Sequence, residues 1–318
     1  MSASSSSQEG SASGTDRGGT LGLERPVEPI REVPGHSHAG RRVVRPVKLS
    51  ILMPAFNEQR TIAQAVAAVL RASYPCPFEL IVVNDGSTDG TGEILRALRH
   101  PNAVVVNHHR NLGKGAALQS AAAIATGTHL VPFDADLEYD PADLTAVLAP
   151  VLQGRSDVVF GTRLFGANTR YQSYRHAVGN RALTFAANVL FDVCLSDLHT
   201  CLKLLPVDLF TRLALSEEGF GLDTEITAKL LKRGIRPFEV PISYHSRSLE
   251  NGKKITWRDG LECLHVLVRV RFTAQQHAAP ARADDPLDAL AASARVLEEL
   301  APVAISEAPS PPIVARAQ

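Results

Sequence analysis

The sequence has no excess of charge of either sign, because lysine plus arginine and aspartate plus glutamate each number 33. Such a chain has no global field that would draw it to nucleic acid or to an anionic membrane, so any basic binding site must be local. The sequence also lacks the roughly 18–20 uninterrupted apolar residues that a transmembrane helix needs. The nearest candidate, residues 182–195, is too short and contains Asn188 and Asp192.

Cysteine is scarce, and the four cysteines form no Cys-x-x-Cys pair. Their wide spacing excludes a zinc knuckle or a disulfide framework and favours a reducing compartment. Residues 1–7 contain no basic segment followed by an apolar one, which predicts that there is no secretory signal. We therefore expect a cytoplasmic protein that can associate with the inner face of the membrane.

Composition predicts one folded domain between two tails. Residues 1–46 are rich in Ser, Gly, Pro, Glu and Arg and hold little apolar surface, so we expect them to be disordered. Residues 273–318 are rich in Ala and Pro, and we expect most of them to be disordered too. The folded domain is predicted to span residues 47–272.

Within that domain, short apolar runs alternate with amphipathic segments, which predicts βαβ units and a mainly parallel sheet flanked by helices. The expected fold class is therefore α/β, Rossmann-like, in a single domain. The strands are expected at residues 48–53, 78–83, 103–107, 129–133, 157–161 and 238–244. The main helices are expected at residues 91–100, 115–126, 141–152, 174–191 and 221–232.

Three polar motifs follow predicted strands: residues 54–58, 84–91 and 134–138. Ligands of such sheets bind beyond the carboxyl ends of the strands, so all three motifs should lie at the ligand edge. In the third motif Asp134, Asp136 and Glu138 alternate, which would put them on one side of an extended chain. Three oxygen ligands and a diphosphate would suit Mg²⁺ or Mn²⁺. The alternative is a solvated acidic turn.

Two acidic residues of the other motifs are candidates for donor binding. Asp85 could accept hydrogen bonds from a nucleobase or a ribose, although an Asx turn with a helix cap at Thr88 or Asp89 would use the same residues. Glu58 could accept from a ribose hydroxyl, or it could be an acid favoured in the first turn of a helix. Residues 111–115 lack two elements of a phosphate loop, which excludes an ATPase.

In this order and spacing, the three motifs resemble the nucleotide-sugar-binding half of family 2 glycosyltransferases of the GT-A fold. Residues 161–163, 174–180, 197–203 and 244–254 resemble segments of dolichol-phosphate mannosyltransferases and their bacterial relatives. The resemblance covers about residues 49–272 and implies an inverting transfer of a hexose to a polyprenyl or dolichyl phosphate. Mannose from GDP-mannose is favoured over glucose from UDP-glucose. Residues 47–140 would form the nucleotide-sugar half and residues 141–272 the acceptor half.

The resemblance and the chemistry of phosphate together suggest three sets of site residues. The donor is expected to contact Pro54, Ala55, Asn57, Glu58, Asp85 and Asp134. The expected catalytic residues are Asp136, Asp197 and Arg163. Cations suit a phosphate acceptor, and the candidates are Arg163, Arg175, Lys203, Arg247 and Lys253. About half of these cations should instead be ordinary surface residues.

Two features depart from the family pattern. Many of these relatives have C-terminal membrane spans, which this sequence lacks. An amphipathic helix over residues 255–272, with Trp257 and basic residues, could contact a membrane surface or pack on the sheet. The segment 201–203 also lacks the aromatic residue expected before the lysine.

Three other functions are compatible with parts of this pattern. A family 2 transferase with a hydroxyl acceptor, either a polysaccharide or a small metabolite, remains the main alternative. A non-catalytic protein that binds nucleotide sugars is the second. A sugar nucleotidyltransferase is excluded, because the sequence has no Gly-Gly-x-Gly-Thr-Arg loop near the start of the fold.

Overall fold

The computed structural model describes residues 46–164, 169–170, 174–219, 221–246 and 257–273. Residues 1–45 and 274–318, on which the prediction of disordered tails rests, lie outside the described residues. Arg247 and Lys253 lie outside them as well.

The described residues form strands and helices in alternation. The strands are β1 (Leu49–Ala55), β2 (Phe78–Asn84), β3 (Ala103–Asn107), β4 (His129–Pro132), β5 (Val159–Thr162), β6 (Thr169–Arg170), β7 (Lys203–Pro206), β8 (Phe238–Pro241) and β9 (Tyr244–His245). The helices are α1 (Ile62–Arg71), α2 (Thr91–Arg96), α3 (Lys114–Ile124), α4 (Asp143–Leu152), α5 (Tyr174–Phe191), α6 (Val207–Arg212), α7 (Leu222–Lys232) and α8 (Trp257–Phe272).

Seven strands form one sheet in the order β3-β2-β1-β4-β7-β5-β8. Strands β3, β2, β1 and β4 are parallel, whereas β7 runs antiparallel between β4 and β5. Strand β5 pairs in parallel with β8, and β6 and β9 form a separate parallel pair. The predicted α/β class with a mainly parallel sheet is confirmed.

The sheet is buried on both faces, as a parallel sheet covered by helices must be. Successive side chains of a strand point to opposite faces, so Ile51 and Met53 join one apolar cluster, with residues of α1 and α4. Leu52 and Ile81 join a second cluster, with residues of α3 and α7. A third cluster joins α5, α7 and α8 away from the sheet.

Several elements differ from the sequence-based expectation. Strand β1 continues through Pro54, which was expected to end it. The N–H that proline lacks would point toward β4, whose pairing with β1 has already ended at Leu52.

Strand β7 and helix α6 were not predicted, because β7 has only four residues, begins with a lysine and ends with a proline. The strand predicted at 238–244 is divided between β8 and β9.

Helix α8 packs against α5 and α7 rather than on the sheet. Its inner face buries Cys263, Val266, Leu267 and Val270. Leu261 and Phe272 remain exposed on the solvent side of α8. None of the helices in the described ranges is long and apolar enough to cross a membrane.

Candidate active site

The carboxyl ends of β1, β2 and β4 lie side by side. The parallel register pairs Ala55 with Asn84 at the ends of β1 and β2, and Leu52 with Pro132 near the end of β4. The three polar motifs therefore begin at the same edge of the sheet, as their positions after strands predicted.

The turns after β1 and β2 are bonded to each other. The side-chain oxygen of Asn57 accepts a hydrogen bond from the Thr88 N–H at 2.8 Å, and the Asn57 N–H donates to Ser87 at 3.1 Å. Asp89 accepts from the N–H groups of Gln59 and Thr91. Asp89 therefore links the start of α2 to the turn after β1, and hydrogen bonds hold the two turns together.

Glu58 and Asp85 also have partners within the protein. Glu58 accepts from the Thr61 hydroxyl at 2.7 Å. The Asp85 carboxylate is buried, accepts from the N–H groups of Leu112 and Gly113 at 2.9 and 2.8 Å, and lies 2.7 Å from Nδ1 of His108. Asp85 thus anchors the loop that leads into α3. Its contact with a nucleobase, like that of Glu58 with a ribose, stays a prediction.

The acidic motif after β4 does not keep its predicted alternation. Asp134 and Asp136 are half-buried, but Leu137 has a positive φ of 63° and interrupts the extended chain. Glu138 then turns inward, where it is buried and accepts from the Tyr244 hydroxyl at 2.6 Å. Within the described part of the chain, no three acidic, histidine or cysteine side chains are grouped closely enough to hold a metal. Glu138 is thus not gathered with the two aspartates.

Beside Asp134 lies a row of four alternating charges, which we call the charge row: Asp134, Lys114, Asp223 and Lys203. Lys114 Nζ lies 2.9 Å from Asp134 and 3.4 Å from Asp223. Lys203 Nζ lies 3.4 Å from the other oxygen of Asp223 and donates to the Thr200 carbonyl at 2.5 Å. Exposure rises along the row, from 0% for the Lys203 side chain to 25% for that of Asp134.

Electrostatics within the charge row follow from this burial. Burial alone would raise the pKa of Asp223, but Lys114 and Lys203 hold it at about 2. Burial lowers the pKa of Lys203, against the attraction of Asp223. Lys203 was predicted to hold an acceptor phosphate; its ammonium is fully buried between Asp223 and the Thr200 carbonyl, and that role stays a prediction. The cation of the row that reaches the ligand edge is Lys114.

A second charge group, the closed pair, consists of Arg163 after β5 and Asp197. The guanidinium makes two parallel bonds to the carboxylate, at 2.6 Å from Nε and 2.7 Å from Nη2. Asn180 of α5 donates to the same carboxylate at 2.9 Å. Arg163 also lies over the Tyr244 ring, 4.9 Å from its centroid. Burial would raise the pKa of Asp197, but Arg163 holds it far below its usual range.

Asp197 is fully buried, and its carboxylate orients Arg163; its predicted catalytic role stays a prediction. Arg163 retains N–H donors for an anion, because its two bonds to Asp197 use two of the five donors of a guanidinium. Of the other predicted cations, Arg175 lies on α5. The roles of all these residues toward ligands stay predictions.

Sequence reasoning missed several members of these groups. Asp223 gave no distinct signal, because an acid in the first turn of a helix is common. Asn180 and Tyr244 stood inside the segments that carried the family resemblance, but nothing singled out either residue. Lys114 lies in the glycine-rich turn of residues 111–115, where the sequence predicts a cation near phosphate but gives no sign of Asp134 or Asp223 as its partners.

Comparison with known proteins gives several relatives. The chain is 30% identical over 207 residues to glycosyltransferase AglJ of Haloferax volcanii, an alignment that covers 64% of each protein. It is 27% identical over 266 residues to the dodecaprenyl-phosphate galacturonate synthase of Rhizobium johnstonii, covering 80% of this chain and 74% of that protein. For the hexosyltransferase Agl6 of Haloferax volcanii the identity is 31%, and the alignment covers 64% of this chain but 49% of Agl6.

Solved structures support the fold. Glucosyl-3-phosphoglycerate synthase from Mycobacterium tuberculosis, crystallised with Mn²⁺, UDP and glucosyl-3-phosphoglycerate, superimposes with a TM-score of 0.55. The match covers 72% of this chain and 82% of that protein at 20% identity, which supports a common GT-A-like architecture. Finally, residues 50–213, slightly more than half of the chain, match the model for glycosyl transferase family 2. The chain therefore belongs to glycosyl transferase family 2.

Proposed function

We propose that this chain transfers a hexose, with mannose favoured and glucose possible, from a nucleotide diphosphate sugar to a polyprenyl phosphate. The observation that carries the proposal is an apolar face on α5 and α8, which we call the outer face. Its members are Tyr174, Val178, Phe185 and Val189 of α5 and Leu261, Leu264, Val268 and Phe272 of α8. Tyr174 is 82% exposed and Phe272 73%. Extended exposed apolar patches mark interaction surfaces.

The outer face fits a lipid surface better than another protein because of its flanking charges. Arg258 and Arg271 are exposed on α8, and an apolar helix face bordered by arginines suits an anionic membrane interface. Helix α5 also bears Asn180, which holds Asp197 of the closed pair. Asn180 lies on the opposite side of α5 from Val178 and Phe185, since two residues along a helix turn by about 200°. In this proposal the lipid chain therefore lies at the outer face, and its phosphate passes α5 to reach Arg163.

The proposed chemistry uses the charges on both sides of the site. An oxygen of the acceptor phosphate attacks the anomeric carbon of the hexose, and the bond to the nucleoside diphosphate breaks, which inverts the anomeric centre. A phosphate monoester is already anionic at neutral pH, so no general base is needed. In this proposal Arg163 binds the acceptor phosphate and Lys114 lies on the donor side.

Asp134 and Asp136 would hold Mg²⁺ or Mn²⁺, because two carboxylates and the donor diphosphate offer the hard oxygen ligands that these ions prefer. When bound, the ion would neutralise charge on the departing diphosphate. The third predicted ligand, Glu138, fits less well because its carboxylate is bonded to Tyr244. In keeping with the metal, the Mycobacterium tuberculosis enzyme has been crystallised with UDP and either Mn²⁺ or Mg²⁺.

Two relatives bear on the acceptor. One is named as a dodecaprenyl-phosphate galacturonate synthase and aligns with 80% of this chain, which supports a polyprenyl phosphate. The structural neighbour is named for a small acceptor, 3-phosphoglycerate, and it represents the alternative of a hydroxyl acceptor.

The test is transfer of radiolabelled sugar from GDP-mannose and from UDP-glucose to polyprenyl phosphate in vesicles, with Mg²⁺ or Mn²⁺ and with chelator. We expect lipid-phase label from one donor, lost on chelation. Asp136→Ala should abolish transfer while circular dichroism stays unchanged, and near-normal turnover of this variant would contradict its role. Label that appears only in a water-soluble product would overturn the lipid acceptor in favour of a hydroxyl compound.

The role of the outer face can be separated from the chemistry. The double change Phe185→Ser with Phe272→Ser should reduce transfer to vesicle-borne acceptor but not to a short-chain prenyl phosphate in solution. Val104→Ser changes another exposed apolar residue, on β3 and away from the outer face, and serves as the control; Val104 is 47% exposed, against 69% for Phe185. Equal activity of the double variant and the control on vesicles would contradict membrane contact.

A further inference from the structure

His199 joins three helices beside the closed pair. Its Nδ1 lies 2.9 Å from the side-chain oxygen of Asn180 on α5. Its Nε2 lies 3.0 Å from the Thr224 hydroxyl on α7 and 3.4 Å from the Cys263 sulfur on α8. The ring is thus held from both sides, and within the described residues its hydrogen bonds reach neither Arg163 nor the three motifs at the ligand edge.

The contacts fix which atoms carry hydrogens. The Asp197 carboxylate only accepts, so Asn180 must turn its NH₂ group toward Asp197 and its oxygen toward His199. Nδ1 of His199 must then be the protonated nitrogen. Nε2 is left to accept from the Thr224 hydroxyl. Burial, assisted by the nearby Lys203 cation, lowers the pKa of His199 to about 4, so the ring is neutral at pH 7.

An asparagine amide has two orientations of nearly the same shape, and only one of them suits a carboxylate. In the other orientation the amide oxygen would face Asp197 and repel it. The Asp197 carboxylate already favours the first orientation, and the Nδ1–H of His199 reinforces it by bonding the amide oxygen on the other side. His199 thereby acts on Asp197 through Asn180, and on Arg163 through Asp197.

We propose that His199 is a positioning residue for the acceptor phosphate, because it holds in place the Asn180 amide that bonds to Asp197 and thereby the guanidinium of Arg163. The proposal rests on the proposed function in one respect, that Arg163 binds the acceptor. Asn180, Asp197 and His199 need not touch the substrate. The packing of α7 and α8 also fixes the position of His199, because Thr224 and Cys263 contact Nε2 of its ring.

The first experiment needs no substrate. NMR of ¹⁵N-labelled full-length protein should show His199 protonated at Nδ1 and not at Nε2, and a downfield Nε–H signal for Arg163 bonded to Asp197. His199→Leu should shift or broaden the Arg163 signal, whereas His199→Gln, whose amide can still donate to Asn180, should largely preserve it. A His199 protonated at Nε2, or an Arg163 signal unchanged in His199→Leu, would overturn the proposal.

The second experiment separates binding of the two substrates. His199→Leu should raise the KM for polyprenyl phosphate about tenfold, as expected if Asn180 then loses its hydrogen bond to the charged Asp197 carboxylate, while the KM for the donor changes little. His199→Gln should recover most of the loss. His100→Gln, a change of a histidine at the opposite edge of the sheet before β3, is the control that should change neither KM.

Equal losses for both substrates would mean that His199 is only structural, and would overturn the proposal. If the wild type labels no polyprenyl phosphate, the proposed function fails, and the NMR result still decides the role of His199. If His199→Leu does not fold, the tautomer of the wild type remains decisive, because protonation at Nε2 instead of Nδ1 would overturn the proposal.

Discussion

The closed pair and the charge row both contain buried charges, but they differ in whether they extend to the ligand edge of the sheet. Arg163 and Asp197 bond only within the interior, and the carboxylate has no exposed surface. The charge row runs from the buried Lys203 to the partly exposed Asp134 at the ligand edge. The closed pair therefore fixes one cation in place, whereas the charge row has an open end where charges can rearrange.

The chemistry of the two cations reinforces the difference. An arginine keeps its charge in a protein, but a buried lysine can lose its proton. Removing a carboxylate from the closed pair leaves an obligatory buried charge, whereas removing one from the charge row leaves a lysine that can become neutral. The variants below compare these two responses in order of decreasing effect.

Asp197→Ala should be the most damaging change. Breaking a buried pair on one side costs roughly 3–5 kcal/mol, since the remaining charge has no partner. We expect the free energy of unfolding, measured with urea, to fall by about this amount. Adding Arg163→Met should restore much of that stability, because neither charge then remains buried, but it should not restore transfer. A loss below about 1 kcal/mol for Asp197→Ala would show that the closed pair is not a closed electrostatic unit.

Lowering the pH should reduce the free energy of unfolding through protonation of His199, which lies beside the closed pair. Its pKa is about 4 in the folded protein and 6.5 ordinarily, so the unfolded chain binds the proton more tightly. The stability that neutral His199 contributes is therefore complete above pH 6.5 and is lost as the pH falls toward 4. The shift corresponds to at most ~3 kcal/mol. His199→Gln should show a shallower decline of unfolding free energy between pH 6.5 and 4.

Urea unfolding of both proteins at pH 7, 5.5 and 4.5 measures this difference, because the carboxylates titrate alike in the two. Parallel pH profiles would mean that His199 is protonated at a similar pH in both states.

The contrast between the regions also explains what the sequence could predict. The partners Asn57 and Thr88 lie 31 positions apart, and each follows an apolar run that reads clearly as a strand. Strand β3 and helix α5 were predicted with their observed bounds, because their patterns are local. Lys114 and Asp223 are 109 positions apart, and only the assembled sheet brings them together. No local pattern could reveal that contact.

The acidic motif of residues 134–138 shows a second limit of prediction from the sequence. Alternating acids predicted one cluster, but the positive φ of Leu137 sends Glu138 to Tyr244, 106 positions away. A leucine gives no warning of a left-handed conformation, which glycine or asparagine would give. The fold class and the ligand edge therefore followed from the sequence, whereas the pairing of the charged side chains did not.

Asp223→Ala should cost less than Asp197→Ala, about 1–3 kcal/mol. Lys203 loses the one carboxylate with which it forms an ion pair among the described residues, but burial already lowers its pKa and it can release its proton. Lys114 retains Asp134. Urea unfolding at pH 7 and 9 should show a smaller loss at pH 9, where the neutral lysine is easier to form. A loss equal to that of Asp197→Ala, without this pH dependence, would remove the distinction between the two charge groups.

The smallest effect should come from an ion pair that is neither buried nor shared. Arg212 and Asp208 lie one turn apart on α6 at 2.8 Å, with side chains 60% and 66% exposed. Water already solvates both charges, so pairs of this kind contribute about 0.3–0.5 kcal/mol. Asp208→Asn should lower the urea midpoint barely measurably, and 0.5 M salt should abolish the difference, because exposed charges are screened. A loss comparable to that of Asp223→Ala would mean that burial is not what separates the strong charge contacts of this protein from the weak ones.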